Sequence, residues 1–245
     1  MYNSSDVLLV GVSGASCSGK STLCQLLHAV YDNSIILHED DFYKTDALIP
    51  IHDGYMDWDC VDAIDFPKFH EALVYIKQHG ELPKWLLEKE ANQNVATKAV
   101  VEYADVVQAG RSLVTQQPGK KIILVDGFML YVSNQLIDSF DVRIMLRADY
   151  NVLKQRREAR TGYVTTEGSR PAHLSPTEKC FWQDPPGYFD KFVWPGYKEG
   201  HQHLFENDNV EGRIIDPRIN ITHRNDMTVY ENLVWTIELL QHHLQ

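Results

Sequence analysis

The sequence predicts an α/β fold, a central five-stranded parallel sheet with helices on both of its faces. Three observations carry the prediction. Short apolar runs alternate along the chain with stretches whose apolar residues recur at helical spacing. The first run, residues 7–12 (VLLVGV), lacks the apolar–polar alternation of a half-exposed strand, so it reads as a strand buried on both faces. A glycine-rich loop follows it directly, and a helical stripe follows the loop.

Taken in order, residues 7–12 form the first strand, and Leu23, Leu26, Leu27 and Val30 mark the buried side of the first helix. Residues 34–37 are a short second strand that ends at an acidic cluster. Asp65-Phe66-Pro67 starts a helix with proline in its first turn. Phe69, Ala72, Leu73 and Ile76 supply its stripe, and Gly80 its stop. Residues 81–118 read as an insertion, irregular over 81–96 and helical over 97–114. Residues 122–125 make a third strand ending at Asp126, and residues 142–146 a fourth. A basic helix starts near Asp149, and residues 149–163 form a lid region. Residues 165–179, polar with Gly, Ser and two prolines, read as a flexible loop. Arg213-Ile214-Ile215 is the expected fifth strand, and Tyr230, Leu233, Val234 and Ile237 the stripe of a closing helix. The whole chain, 1–245, is expected to be one domain.

The formal net charge of −11 speaks against wholesale binding to nucleic acid or to an anionic membrane. No apolar stretch is long enough to span a bilayer, and no basic leader precedes the first strand. Cys17, Cys24, Cys60 and Cys180 show neither C-x-x-C nor zinc-ribbon spacing, so free thiols in a reducing, cytoplasmic setting are expected, with access to the nucleus by diffusion. His201, His203, His242 and His243 read as surface residues, not metal ligands.

Gly14-Ala15-Ser16-Cys17-Ser18-Gly19-Lys20-Ser21 matches G-x-x-x-x-G-K-[ST], followed by Thr22. Such a loop curls its backbone N–H groups towards phosphate oxygens, and the helix behind it adds its positive end. Lys20 would reach the β- and γ-phosphates and the Ser21 hydroxyl would ligate Mg²⁺. Between a buried strand and a periodic helix, this makes the chain a P-loop NTPase fold, with the basic helix as its lid. Asp126, ending a strand in the Walker B manner, is the candidate Mg²⁺ carboxylate; a helix cap is the competing role.

HEDDFYK, residues 38–44, sets acids where phosphates would come. A carboxylate there can take the proton of an attacking hydroxyl or hold Mg²⁺, so Asp40 or Asp41 is the candidate base. Capping of a following turn is the alternative. No N-K-x-D stretch for guanine occurs, which favours a kinase over a switch GTPase. Lys154, Arg156, Arg157 and Arg160 crowd one helix, with 156 and 160 on a shared face. They read either as a solvated basic face or as lid groups that neutralise transferring charge. Trp58-Asp59 and Tyr163 could stack on a planar ring and bind sugar hydroxyls, or simply pack, as could Phe181-Trp182 and Tyr188-Phe189.

GASCSGKST, HEDDFYK, WDCVDAIDF, ILVDGFMLY, VLKQRREARTGY and DPPGYFDKFVWPGY together span most of residues 7–200, and VEGRIIDPR extends them. On these stretches the chain resembles the nicotinamide riboside kinase family, its fungal members especially. The resemblance implies transfer of the ATP γ-phosphate to the 5′-hydroxyl of nicotinamide riboside, and of nicotinic acid riboside, in NAD salvage. It implies Asp40 as base, Lys20 and Ser21 at phosphate and Mg²⁺, and Asp126 beside metal and substrate. Asp59 and Arg157 match a ribose clamp, and Trp58 and Tyr163 the two faces of a pyridine sandwich, a cation–π arrangement. Tyr43 joins the substrate-binding set, and Arg156 and Arg160 match lid groups near ATP. Trp58 and Asp126 stand where some relatives carry Tyr and Glu, and residues 165–179 are longer than is usual. The rival readings are a uridine/cytidine kinase and a non-catalytic nucleotide-binding module. A monomer or weak homo-oligomer that takes ATP and a riboside is expected.

Overall fold

The computed structural model describes residues 6–91, 98–114, 119–160, 163–164 and 181–244. The first apolar run forms β1 (Val7–Ser13), buried along its whole length. The glycine-rich loop turns it into α1 (Lys20–Val30), and β2 (Ser34–His38) runs into a 3₁₀ turn over Glu39–Phe42. A hairpin of β3 (Ile51–His52) and β4 (Tyr55–Met56) precedes α2 (Phe66–His79). The Asp65 carboxylate caps α2 by accepting from the Lys68 N–H, and Gly80 closes it in the left-handed region, as expected from the sequence. Then come α3 (Lys84–Ala91), α4 (Lys98–Glu102), α5 (Ala104–Leu113), β5 (Lys121–Asp126), α6 (Asn134–Ser139) and β6 (Val142–Met145). The basic helix is α7 (Tyr150–Glu158), followed by a ribbon of β7 (Tyr163–Val164) with β8 (Phe181–Trp182). A π-helical turn over Phe189–Val193 leads into α8 (Trp194–His201), then β9 (Asn220–Ile221) and α9 (Val229–Leu244).

The main sheet has the order β2-β5-β1-β6-β9, and every neighbouring pair is parallel. Successive residues of each strand face opposite sides. Leu8, Val10 and Val12 pack with Ile122 and Leu124 against Leu23, Leu27 and Val30 of α1 and Leu233 and Ile237 of α9. Leu9, Ile123 and Val125 turn the other way, onto Phe69, Leu73 and Ile76 of α2. Each such fully buried side chain contributes about 1.5–3 kcal/mol. The two-sided burial is why these strands read as unbroken apolar runs.

Five expectations are corrected. The fifth strand is β9, not Arg213-Ile214-Ile215. Ile214 makes only an isolated antiparallel bridge to Phe205, and Ile215 is 55% exposed. β9 is an edge strand of two half-buried residues and carries the polar Asn220, whose amide donates to the Arg143 carbonyl at 3.1 Å. Residues 81–96 are not simply irregular: α3 forms there, with Leu86 inside it and Leu82 just before it buried, a footprint too short to show as a stripe. Residues 92–96 lie outside the described residues. The helix expected over 97–114 is broken at Tyr103 into α4 and α5, with Thr97 outside the described residues. Tyr230 is 46% exposed, so the stripe of α9 begins at Leu233. Among the histidines, His203, His242 and His243 are exposed, but His201 is fully buried under α8, where its Nδ1 pairs with the Tyr197 carbonyl at 2.9 Å. The loop expected over residues 165–179 lies outside the described residues. No helix among the described residues is long and apolar enough to cross a membrane.

Candidate active site

The carboxyl ends of β1, β5 and β2 are level. Val12 pairs in register with Asp126, and Asp126 with His38, so the phosphate loop, the Asp126 end of β5 and the acidic turn share one rim.

The loop is shaped by its glycines. Gly14 has φ of 140°, and a Cβ there would overlap the Leu146 carbonyl oxygen, so only glycine serves. Ser18 N–H donates to the Ala15 carbonyl at 3.1 Å, closing the curl, and Gly19 delivers the chain into α1. Lys20, 8% exposed, donates from Nζ to the Ala15 carbonyl at 3.0 Å. The hydroxyls of Ser13 and Ser18 are buried and make no hydrogen bond among the described residues.

The acidic stretch divides its labour. Asp41 is 6% exposed, whereas Asp40 presents itself to solvent at the rim. Crowding by the surrounding protein, then the Asp126 charge, still push the Asp40 carboxyl up to about 6, with His38 and Lys20 opposing. Asp126 is 7% exposed and its Oδ2 lies 3.3 Å from His38 Nδ1. Burial would raise Asp126, but bonds and charges from His38, Lys20 and Ser21 outweigh it and leave the carboxyl below its ordinary value. Burial would likewise lower His38, yet Asp126, with Asp40 and Asp41 beyond, carries it up to about 9, so it is a cation at neutral pH. Glu39 is fully buried. Its Oε2 accepts from the N–H groups of Phe128 and Met129 at 2.8 and 3.0 Å. Burial pushes its carboxyl up to about 8 despite those donors.

Arg157, on the inner face of α7, is the hub of the other half. Its Nε and Nη2 donate to the Asp184 carboxylate at 2.6 and 3.1 Å, and Nη1 and Nη2 to Asp59 at 3.4 and 3.2 Å. Nη1 also reaches Ser16 Oγ in the phosphate loop at 2.8 Å. Burial raises the Asp59 carboxyl, and Arg157 only partly offsets it because Asp184 adds a like charge. Asp59 itself is pinned from behind, since α8 approaches so closely that a Cβ on Gly196 would overlap the Asp59 carbonyl oxygen. Arg156 is exposed and donates to the Cys17 carbonyl at 3.2 Å, and Arg160 is exposed at the end of the helix. Lys154 and Tyr150 both bond Asp190, which fastens α7 to the π-helical turn.

An aromatic wall joins the two halves. Trp58 and Tyr43 meet edge to face at 5.5 Å, and Tyr43 stacks on Phe128 at 6.2 Å. The Trp58 backbone N–H donates to the Tyr188 hydroxyl at 3.1 Å, and that hydroxyl donates to the Met56 carbonyl at 3.1 Å. Tyr163 lies on the β7–β8 ribbon, and its side chain is outside those described.

The structure therefore brings Lys20, Ser21, Asp40 and Asp126 together on one side, and Trp58, Asp59, Arg157 and Tyr43 on the other. Asp184 is the residue the sequence reading did not single out. It sits inside the quoted DPPGYFDKFVWPGY stretch, but nothing in linear spacing pairs it with an arginine far upstream. For a cation, the rim offers two carboxylates and one hydroxyl, hard oxygen donors of the kind Mg²⁺ takes. No cluster of three or more His, Cys, Asp or Glu groups placed to hold a metal occurs among the described residues. The set fits Mg²⁺, which keeps part of its shell for water and phosphate, and not a closed protein cage.

A parallel sheet with a glycine-rich loop after β1 and acids on the same rim defines the chain as a P-loop kinase. A nicotinamide riboside kinase of Schizosaccharomyces pombe is 49% identical over 238 residues, 97% of this chain and 98% of the relative. One of Saccharomyces cerevisiae is 36% identical over 88% of the chain and 85% of the relative, and nicotinamide riboside kinase 2 of Homo sapiens 29% over 85% and 74%. No family model matches the sequence. The chain belongs to the nicotinamide riboside kinase family.

Proposed function

We propose that the chain transfers the γ-phosphoryl group of ATP to the 5′-hydroxyl of nicotinamide riboside, giving the mononucleotide used in NAD salvage. The observation that carries the reading is the continuity of one polar site. Arg157 touches the phosphate loop through Ser16 and Asp59 through its fork, so a sugar held at Asp59 lies beside the phosphate-binding loop. The names of the relatives favour a pyridine ring over a pyrimidine.

In this reading residues 14–22 cradle the ATP phosphates and Lys20 turns from the Ala15 carbonyl to the β- and γ-oxygens. Asp59 and Arg157, braced by Asp184, hold the ribose 2′- and 3′-hydroxyls. Trp58, kept upright by Tyr43, forms one face of the ring site and Tyr163 the other. Asp40 takes the 5′-hydroxyl proton as the oxygen attacks the γ-phosphorus. The O–P bond forms, the bond to the β,γ-bridging oxygen breaks, and ADP leaves. Arg156 and Arg160 neutralise charge from the lid side; the contact of Arg156 with Cys17 supports this. Ser21 and Asp126, with Asp40 beside them, would hold Mg²⁺, which when bound neutralises phosphate charge. The free thiols Cys17, Cys24 and Cys60 accord with a cytoplasmic enzyme, and it acts as a monomer or weak homo-oligomer.

The test is ADP release by the pure protein with Mg²⁺-ATP and, in parallel, nicotinamide riboside, nicotinic acid riboside, uridine and cytidine. Turnover confined to the pyridine ribosides is the expected result. Preference for uridine or cytidine, or no turnover at all, overturns the proposal.

A further inference from the structure

The rim acids sit on two separate segments, the turn that carries Asp40 and the loop that follows Asp126. Backbone pairing holds β2 to β5 only as far as His38 and Asp126. Beyond that point the Glu39 side chain joins them. It is fully buried, and its Oε2 accepts from the N–H groups of two consecutive residues, Phe128 at 2.8 Å and Met129 at 3.0 Å. The approach is so close that a Cβ on residue 127 would lie 2.7 Å from both Glu39 Cβ and Glu39 Oε2, so this position of the loop has to be glycine. Glu39 Oε1 is buried and makes no hydrogen bond among the described residues. The side chain therefore serves the loop and nothing else in view, although the next residue, Asp40, faces solvent.

We infer that Glu39 is a positioning residue, a strut that fixes the Asp40 turn against the Asp126–Met129 loop and so sets the relative placement of the two rim carboxylates. The inference rests on the kinase reading above and adds to it a residue that touches neither substrate. What the strut requires is one acceptor oxygen at the end of a side chain of this length. Glu39→Gln keeps that oxygen, whereas Glu39→Met keeps the length and volume and removes it. Placement errors near the ångström scale cost about 100-fold in rate when the reacting groups are otherwise intact.

The experiment measures kcat with Mg²⁺-ATP and nicotinamide riboside for wild type, Glu39→Gln and Glu39→Met. Each kcat is normalised to the sites that bind ATP, counted by titration calorimetry. The normalisation matters because a variant that merely misfolds loses sites but keeps the rate of each remaining site. Expected are about 10- to 100-fold lower kcat per binding site for Glu39→Met, ATP and riboside affinities within about threefold of wild type, and recovery to within about threefold in Glu39→Gln. An unchanged rate per site in Glu39→Met, or Glu39→Gln as impaired as Glu39→Met, overturns the strut while wild-type turnover leaves the kinase reading standing. Absent wild-type turnover overturns the kinase reading and the strut with it.

Discussion

Arg157 and Asp59 meet fork to carboxylate at 3.4 and 3.2 Å with 7% and 6% of their side chains exposed, and the same guanidinium grips Asp184 from its other edge. One cation thus compensates a buried carboxylate, Asp59, and a partly buried one, Asp184. Removing it leaves the buried Asp59 charge uncompensated beside a second negative charge, so Arg157→Met should lower stability by about 3–5 kcal/mol. Lysine supplies charge without the planar fork, so Arg157→Lys should recover part of this and still lose about 1.5–3 kcal/mol. Denaturant unfolding measures both, and wild-type stability in Arg157→Lys would show that the fork geometry is unimportant.

Asp40 is the exposed acid of its turn while Asp41 is buried, and that difference separates the two candidates for the base. Asp40→Ala should lower kcat by about 100- to 10,000-fold with ATP binding retained. Asp41→Asn, made on a buried side chain, should act on stability before rate. If Asp40→Ala turned over at the wild-type rate, the proton acceptor would have to be sought elsewhere.

The contrast between these two acids marks the boundary of what the sequence could convey. The strands of the sheet centre were legible because burial on both faces leaves an unbroken apolar run, as in residues 122–125. The strand Asn220–Ile221 was not, because two half-buried residues are too few to make such a run. α3 was hidden for a related reason, since two buried leucines are too few to show a period. In the site, motif residues that lie consecutively, Gly14 to Ser21 and Asp40 to Tyr43, were readable. The Arg157–Asp184 pair depends on how the chain returns across α7, which linear spacing does not encode. Glu39 was quoted within its motif, yet its role follows only from a loop some ninety residues away, at Phe128 and Met129.

Trp58 is half-buried, with Tyr43 set against it at 79° and 5.5 Å. In the proposed ring site this indole would stack on the flat cationic heterocycle. Cation–π contacts contribute about 0.5–2 kcal/mol, so Trp58→Ala should raise the riboside KM about 3- to 30-fold. The ATP KM should stay near wild type, because Trp58 belongs to the proposed ring site, against Tyr43, and not to residues 14–22 proposed to cradle the ATP phosphates. Equal changes in the two KM values would remove Trp58 from the ring site.

His201 is fully buried, and burial pulls its pKa from 6.5 down to about 4, with the Tyr197 carbonyl opposing. Between those values the unfolded chain binds a proton that the folded chain refuses. Its contribution to stability is therefore intact above pH 6.5 and is lost as pH falls towards about 4. At about 1.36 kcal/mol per pKa unit the full effect is about 3 kcal/mol. His201→Phe keeps a ring beside Tyr197 and cannot titrate. The stability difference between variant and wild type should move in the variant's favour by about this amount as pH is lowered across that window. A difference independent of pH would show that His201 is protonated as easily in the folded protein as outside it.

Gly196 tests whether α8 sets the ribose end of the site. Its Cα packs directly on the Asp59 backbone, and an added methyl would overlap the Asp59 carbonyl oxygen, which is backbone and has no rotamer to change. Either α8 shifts outward or the Trp58-Asp59 segment moves, and both strain a well-packed region at a cost of about 1–3 kcal/mol. Moving Asp59 also spoils its contacts with Arg157, whose grip on Asp184 and Ser16 holds it in place. Gly196→Ala should therefore lower stability and raise the riboside KM together, with the ATP KM little changed. Gly200→Ala in the same helix is the control, because its added methyl meets the flexible thioether of Met129 instead of backbone. The control should lose stability without the selective rise in riboside KM, and a matching rise in both variants would mean that α8 acts through general loosening and not through Asp59.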